Sequence, residues 1–314
     1  MLHEMFYWIL NMSILGTVYG LLLYLLRLIK GFPRFGSYAL WGVVGLRLLC
    51  PVGFSSRYSL LSLISRAILK VSVRSVTVYE KTGAPGILPE LTLSNSIQAA
   101  SDYAPLTYKT NLLENFFQVA SVIWGIVSAA TVLTVLALYL LSVTELKKAE
   151  HVRDNIYKGS MVDTPTVFGI IRPRIVLPAG GDPEYLEQVL LHERIHIKRR
   201  DNLWRMLAML TACLHWFNPF VWFFLKSFLS DCELACDARA VKHMKTEDRK
   251  DYARALLKLG TKDMTVFSSA FGSSRVKVRI RSVLTYRKLT MFSSACFLLM
   301  VLVIAFMLLT NKVV

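Results

Sequence analysis

Acidic residues are scarce in this 314-residue chain: 21 Asp and Glu stand against 37 Lys and Arg, for a formal net charge of +16. The arginine and aromatic interleaving of a nucleic-acid interface is nevertheless missing, so direct nucleic-acid binding is set aside and the basic charge is read as attraction to anionic lipid. Cysteines are also few. The five, Cys50, Cys213, Cys232, Cys236 and Cys296, are too scattered to form a disulfide framework. The amino end carries Glu4 but no Lys or Arg, and no small-residue cleavage site follows the first apolar block, which excludes a cleavable signal peptide. The sequence contains no internal repeat.

Apolar residues are abundant, at 54%, and they come in blocks. Three runs, Met5–Leu26, Phe116–Val143 and Leu289–Thr310, have the roughly 20 apolar residues needed to cross about 30 Å of hydrocarbon. A fourth, Tyr38–Phe54, is shorter and contains Arg47, which must either find an interhelical partner or snorkel to the interface. The expected class is a mainly α, polytopic membrane protein with four transmembrane helices and the lipid bilayer as its first partner. The short loop after the first span holds Arg27, Lys30 and Arg34, and such loops stay in the cytoplasm. Residues 1–54 then contain two spans and a cytoplasmic loop, 55–115 an extracytoplasmic loop, 116–144 the third span, 145–288 a cytoplasmic domain, and 289–310 the fourth span.

Within the outer loop, Leu60, Leu61, Ile64, Ile68 and Val71 recur at helical spacing, which predicts an amphipathic surface helix over Arg57–Val73. Thr82–Asp102, rich in Gly, Pro, Ser and Thr, reads as loop. The cytoplasmic segment opens with a polar, helix-like run, Glu145–Asn155. In "TPTVFGIIRPRIVLP", Thr164–Pro178, two β-branched runs flank Pro173 and predict a small β-hairpin. Its residues Val167, Phe168 and Gly169 are candidates for binding a substrate by strand addition. Asp182 and Pro183 then read as the cap and first position of a helix.

That helix carries "LHERIHIKRRDN", Leu191–Asn202, which spaces two of the six histidines one turn apart. On a helix, His192 and His196 project about 40° from each other, so both imidazoles reach one ion. Glu193, beside the first, can take a proton from the attacking water rather than bind metal. This H-E-x-x-H pattern is that of zinc proteases, where zinc acidifies water and polarises the scissile carbonyl; the alternative is two surface histidines on a basic helix. A catalytic zinc takes three protein ligands. "SDCELACDARA", Ser230–Ala240, offers Glu233 as the third, with Asp237 one turn later as acceptor for a histidine N–H. A competing set uses Cys232 and Cys236 with the two histidines as a closed structural site, which leaves Glu193 without a role.

The segment between, Leu203–Leu229, is apolar enough to be a further span. Crossing as one helix would put His196 and Glu233 roughly 30 Å apart, whereas zinc bonds are about 2 Å. It must therefore turn back, at Asn218-Pro219, as a re-entrant or membrane-associated hairpin over 203–229. Asn218 shapes that turn and is a further substrate-binding candidate. His215 and Trp216 read as structural, and His243 as solvated.

Taken in order, "RLLCP" (Arg47–Pro51), "TPTVFGIIRPRIVLP", "LHERIHIKRRDNL", "LHWFNPFVW" and "DCELACD" resemble the signature blocks of bacterial membrane metallopeptidases of the BlaR/MecR antirepressor type. The resemblance implies a gluzincin-like zinc protease domain, a small β-hairpin plus helices, inserted between the third and fourth spans. It would lie on the cytoplasmic side of the bacterial cytoplasmic membrane, with zinc on His192, His196 and Glu233 and Glu193 as base. It also implies a protein substrate such as a winged-helix transcriptional repressor, and homodimerisation. Sensor members carry an external penicillin-binding domain after the last span. This sequence ends at Val314, so its signal is expected to enter through the outer loop or a separate sensor protein. Met264–Leu284 is read either as a self-cleavage segment or as a basic juxtamembrane linker. The expected function is transduction of an external signal by cytoplasmic proteolysis. The alternatives are a housekeeping protease similar to HtpX or the CAAX prenyl protease type, and a noncatalytic, zinc-stabilised receptor.

Overall fold

The computed structural model describes residues 2–28, 34–50, 52–54, 56, 58–59, 93–95, 111–160, 162–180, 185–262, 269–286, 288 and 290–310. In chain order the elements are α1 (Leu2–Leu28), α2 (Arg34–Leu49), β1 (Val52–Phe54), β2 (Leu93–Asn95), α3 (Asn111–Leu146), β3 (Glu150–Arg153), β4 (Ile156–Gly159), β5 (Thr166–Phe168) and β6 (Arg174–Pro178). They continue with α4 (Leu186–Arg199), α5 (Asp201–Leu214), α6 (Pro219–Ala240), α7 (Thr246–Lys262), α8 (Ser269–Leu284) and α9 (Met291–Leu309). Asp182, Pro183 and nearly all of the amphipathic helix expected at Arg57–Val73 lie outside the described residues. The chain divides into two compact units, one of Met1–Leu28, Ala39–Val127 and Met291–Val314, the other of Ile29–Tyr38 and Ser128–Thr290.

α1 and Phe292–Leu309 of the first unit, and Asn115–Leu146, which runs from the first unit into the second, are long and apolar enough to cross a membrane. Only 6% of each of the latter two apolar windows is buried inside the protein, as lipid-facing helices require. α2, at 16 residues, is shorter than the roughly 20 of a full span, so the described residues hold three helices of spanning length where four spans were expected. α2 passes close to α1: a Cβ on Gly16 would run into the Leu48 side chain, so the small residue is what lets the two helices approach. Arg47, 1% exposed, has found an interhelical partner, because its Nη2 donates to the Thr310 carbonyl at 3.3 Å. Ser59 Oγ donates to the same oxygen at 2.7 Å, so the carboxyl end of α9 is capped by a cation and a hydroxyl. β1 pairs antiparallel with β2, Val52 opposite Asn95, which corrects the reading of all of Thr82–Asp102 as loop.

The second unit is built around a four-stranded sheet of order β3-β4-β6-β5. The predicted hairpin is β5 and β6, with Val167 opposite Ile175. Its turn needs Gly169, whose φ is 92° and where a Cβ would meet the Arg172 carbonyl oxygen at 2.7 Å. The helix-like run Glu145–Asn155 is corrected: α3 stops at Leu146, and Glu150–Arg153 is a strand hairpinned through Asp154, at φ 47°, onto β4. The reason is tertiary. β4 is held by parallel pairing with β6, and all four β3 residues are exposed, so no apolar alternation betrays the strand.

α4 is gripped from both sides. Leu190, Leu186 and Ile197 pack with Ile156, Ile175, Val167 and Leu177 of the sheet. Ile195 packs on the cluster of Ala240, Val241, Tyr252, Ala253, Leu256 and Val283 drawn from α6, α7 and α8. Arg200, at φ 55°, ends α4 and starts α5, its N–H returning to the His196 and Ile197 carbonyls. The chain turns between α5 and α6 over 215–218, where Asn218 Oδ1 accepts from the Phe220 N–H at 3.0 Å as an N-cap. The return arm continues unbroken to Ala240, so one helix forms both the hairpin and the Glu233 segment.

Gly16→Leu is expected to destabilise the α1–α2 crossing by about 1–3 kcal/mol through overpacking, with most of the loss recovered by adding Leu48→Ala. Thermal unfolding of the purified chain in detergent reads both; no recovery in the double variant would contradict the contact.

Candidate metal centre

His192 and His196 project from the buried face of α4 into a cavity also lined by Thr166, Val167, Glu193, Asn202, Glu233 and Arg279. Their Nε2 atoms lie 3.1 Å apart, with the rings nearly perpendicular at 85°. From α6, Glu233 brings Oε2 within 3.4 Å of His192 Nε2 and Oε1 within 3.6 Å of His196 Nε2. Tetrahedral zinc with bonds of 2.0–2.1 Å separates its ligand atoms by roughly 3.3–3.4 Å. The two imidazole–carboxylate edges end on different Glu233 oxygens, so the rings and the carboxylate face one another at the scale of a small cation's coordination sphere without one oxygen closing the set.

The outer ring nitrogens face anions. His196 Nδ1 is 2.6 Å from Asp201 Oδ2, and Asp201 Oδ1 accepts from the Tyr38 hydroxyl at 2.9 Å. His192 Nδ1 is 2.7 Å from Tyr252 Oη and 3.3 Å from Asp237 Oδ1, and Tyr252 donates to that same oxygen at 2.9 Å. Each imidazole is thus oriented so that its inner nitrogen points at the cavity. Arg279 Nε and Nη2 donate to Asp237 Oδ2 and Oδ1 at 2.7 and 2.8 Å, its Nη1 lies 3.1 Å from Glu233 Oε2, and Arg205 Nη2 bonds Glu233 Oε1 at 2.5 Å.

The electrostatics favour positive charge at the histidines. Burial works against charging His196, yet the bond to Asp201 lifts its pKa to about 11. Burial likewise opposes ionisation of Glu233, but the bond to His192 and the charge of Arg279 hold it well below the ordinary carboxylate range. Asp237, also penalised by burial, is brought down to about 2 by Arg279. Glu193 moves the other way: burial raises its pKa and the two histidines only partly offset this. A carboxylate made more basic beside two imidazoles suits proton abstraction better than charge storage.

Cysteine offers other donor sets. His192, His196 and Cys236 have ligand atoms within 4.8 Å of one another, as do His196, Asp201 and Cys232. Cys236 Sγ, however, lies 3.5 Å from Nδ1 of His192, the side taken by Tyr252 and Asp237, and Cys232 sits 3.8 Å from Arg205 Nη2. The described clusters of this spacing hold one cysteine each, not the two of the closed structural site.

Of the sequence candidates, His192, Glu193, His196, Glu233 and Val167 line one cavity, and Asp237 stands directly behind His192. Phe168 instead stacks on Tyr139, ring centroids 6.4 Å apart, while the Gly169 and Val167 carbonyls accept from Asn202 Nδ2 at 3.1 and 3.0 Å. Asn218 is a helix cap and is not among the cavity-lining residues. Sequence reasoning missed Asp201, Tyr252, Arg279, Arg205 and Asn202. Asp201 alone had a local signal, as the first acid after the second histidine.

The family model described as BlaR1 peptidase M56 matches residues 7–283. The chain is 31% identical over 146 residues to the regulatory protein BlaR1 of Bacillus licheniformis, covering 44% of this chain and 24% of that protein. It is 32% identical over 105 residues to the methicillin resistance mecR1 proteins of Staphylococcus aureus and Staphylococcus epidermidis, covering 32% of this chain and 18% of theirs. The matched stretch thus spans under a quarter of these relatives' length.

Asp201→Asn and Asp237→Asn should each weaken zinc affinity by about 10–100-fold while helical content is kept. Competition with a zinc chelator reads the affinity and circular dichroism the fold; unchanged affinity would show that these carboxylates do not orient the histidines.

Proposed function

Because the chain belongs to the BlaR1 peptidase M56 family, we propose that it is a membrane-bound zinc metallopeptidase that transduces an external signal by cytoplasmic proteolysis. The observation that carries this reading is the convergence of two Nε2 atoms and the Glu233 carboxylate at 3.1–3.6 Å, with Glu193 beside them in the same cavity. His192, His196 and Glu233 hold the ion, and Asp201 and Asp237 fix the two rings. Zinc, when bound, supplies Lewis acidity to water and to the scissile carbonyl. Glu193 takes the proton of the attacking water and returns it to the leaving amine. β5 is the edge of its sheet and lines the cavity through Thr166 and Val167, so an extended substrate is supported there by strand addition.

The names of the relatives support a regulatory role, and the substrate proposed is a transcriptional repressor of the winged-helix kind. The topology proposed has four membrane segments, with α2 as the short one. The unit containing the site is placed between the third and fourth on the cytoplasmic face, and the hairpin of 203–229 lies on or in the inner leaflet. The signal is proposed to arrive through the outer loop or a separate sensor protein, and the chain to act as a homodimer.

The test uses native membranes and three substitutions, with zinc content and cleavage of the chain itself and of a casein probe as readouts. Glu193→Gln is expected to keep stoichiometric zinc and lose cleavage by about 10²–10⁴-fold. Glu233→Ala is expected to lose zinc, and Cys236→Ser to keep both zinc and cleavage. Zinc that survives loss of Glu233 but not of Cys236 would replace this reading with a structural site.

A further inference from the structure

Arg279 is an unusual neighbour for a metal site. It lies on α8, far in sequence from the motif helices, yet its side chain lines the cavity and is 22% exposed there. One edge of its guanidinium is clamped: Nε and Nη2 form a fork on the two oxygens of Asp237, a carboxylate with no exposure, so the group's position is fixed in advance. Asp237 takes two of the five N–H groups of a guanidinium. The rest sit on Nη1 and Nη2, and these atoms lie 3.1 Å from Glu233 Oε2 and 3.3 Å from His192 Nε2, against two of the inner atoms of the site.

Other donors at the site are less suitable. The Tyr252 hydroxyl gives its proton to Asp237, and Arg205 Nη2 is taken up by Glu233 Oε1 and Cys232 Sγ. The edge of Arg279 that faces the cavity meets Glu233 Oε2 and His192 Nε2, so its charge reaches the inner atoms of the site as well as Asp237.

We propose that Arg279 is a catalytic residue whose guanidinium binds the carbonyl oxygen of the scissile peptide as negative charge develops on it. The inference rests on the metallopeptidase reading above. In the step, water oxygen forms a bond to the carbonyl carbon, and its proton passes to the Glu193 carboxylate. The carbonyl π pair moves to oxygen, to which Arg279 N–H groups donate hydrogen bonds. The oxygen pair then re-forms the C=O bond as the C–N pair leaves with nitrogen, the proton on Glu193 goes to that nitrogen, and a carboxylic acid and an amine result. A fixed cation aimed at an oxygen that gains charge stabilises the transition state more than the ground state, so the residue acts on kcat rather than on KM.

The test compares Arg279→Met and Arg279→Lys with the unchanged full-length chain in detergent, using a fluorogenic peptide, bound zinc, and the affinity of a phosphinic peptide that mimics the tetrahedral anion. Arg279→Met should keep one zinc per chain and a KM within a few-fold, while kcat and phosphinate affinity both fall by about 10²–10³-fold. Arg279→Lys should recover part of both losses. An unaltered kcat in Arg279→Met, or loss of zinc in both variants, overturns the proposal by making the residue dispensable or structural. An unchanged chain that neither binds zinc nor cleaves would instead defeat the metallopeptidase reading itself.

Discussion

Two imidazoles facing each other across one turn of α4, each backed by a carboxylate, set the conditions that the rest of the second unit meets. Neither ring can turn without losing a charge-assisted contact at its outer nitrogen. The helix that carries them is held by the sheet through Leu190 and by the α6–α7–α8 cluster through Ile195. A metal site needs ligand atoms placed to a few tenths of an ångström, and a helix packed on both sides is a rigid base for two of them.

The remaining groups come from separate elements. Glu233 and Asp237 ride on the return arm of the α5–α6 hairpin, so the turn at Asn218 also sets where these two carboxylates meet the histidines. Asp201 follows at once from the left-handed residue Arg200, which bends the chain back toward His196. Tyr38, just before the bulk of α2, holds Asp201, and Arg279 on α8 holds Asp237.

Much of this was legible from local pattern. Three helices of spanning length follow from hydropathy, the two histidines and the Glu233–Asp237 pair from four-residue spacing, and the turn between α5 and α6 from the distance that zinc chemistry imposes. What escaped was set by long-range packing. β3 has four exposed residues and no alternation, and it is a strand only because β4 pairs with β6. Leu93–Asn95 is ordered by Val52–Phe54, some forty positions earlier. Arg279, Tyr252 and Arg205 carry no motif, and their proximity to His192 and Glu233 appears only when three helices are packed. Asn218, a substrate-binding candidate in the sequence, is seen as the N-cap of α6, a role its place before Pro219 already announced.

The claim on which the account turns is that the ion is held by nitrogen and oxygen alone. X-ray absorption at the zinc edge of the zinc-loaded, full-length chain tests it without any substitution. The account predicts a first shell of N and O scatterers at about 2.0–2.1 Å, about half of them imidazole, and no sulfur. A zinc–sulfur distance near 2.3 Å would contradict it and place Cys236 or Cys232, rather than Glu233, in the coordination sphere.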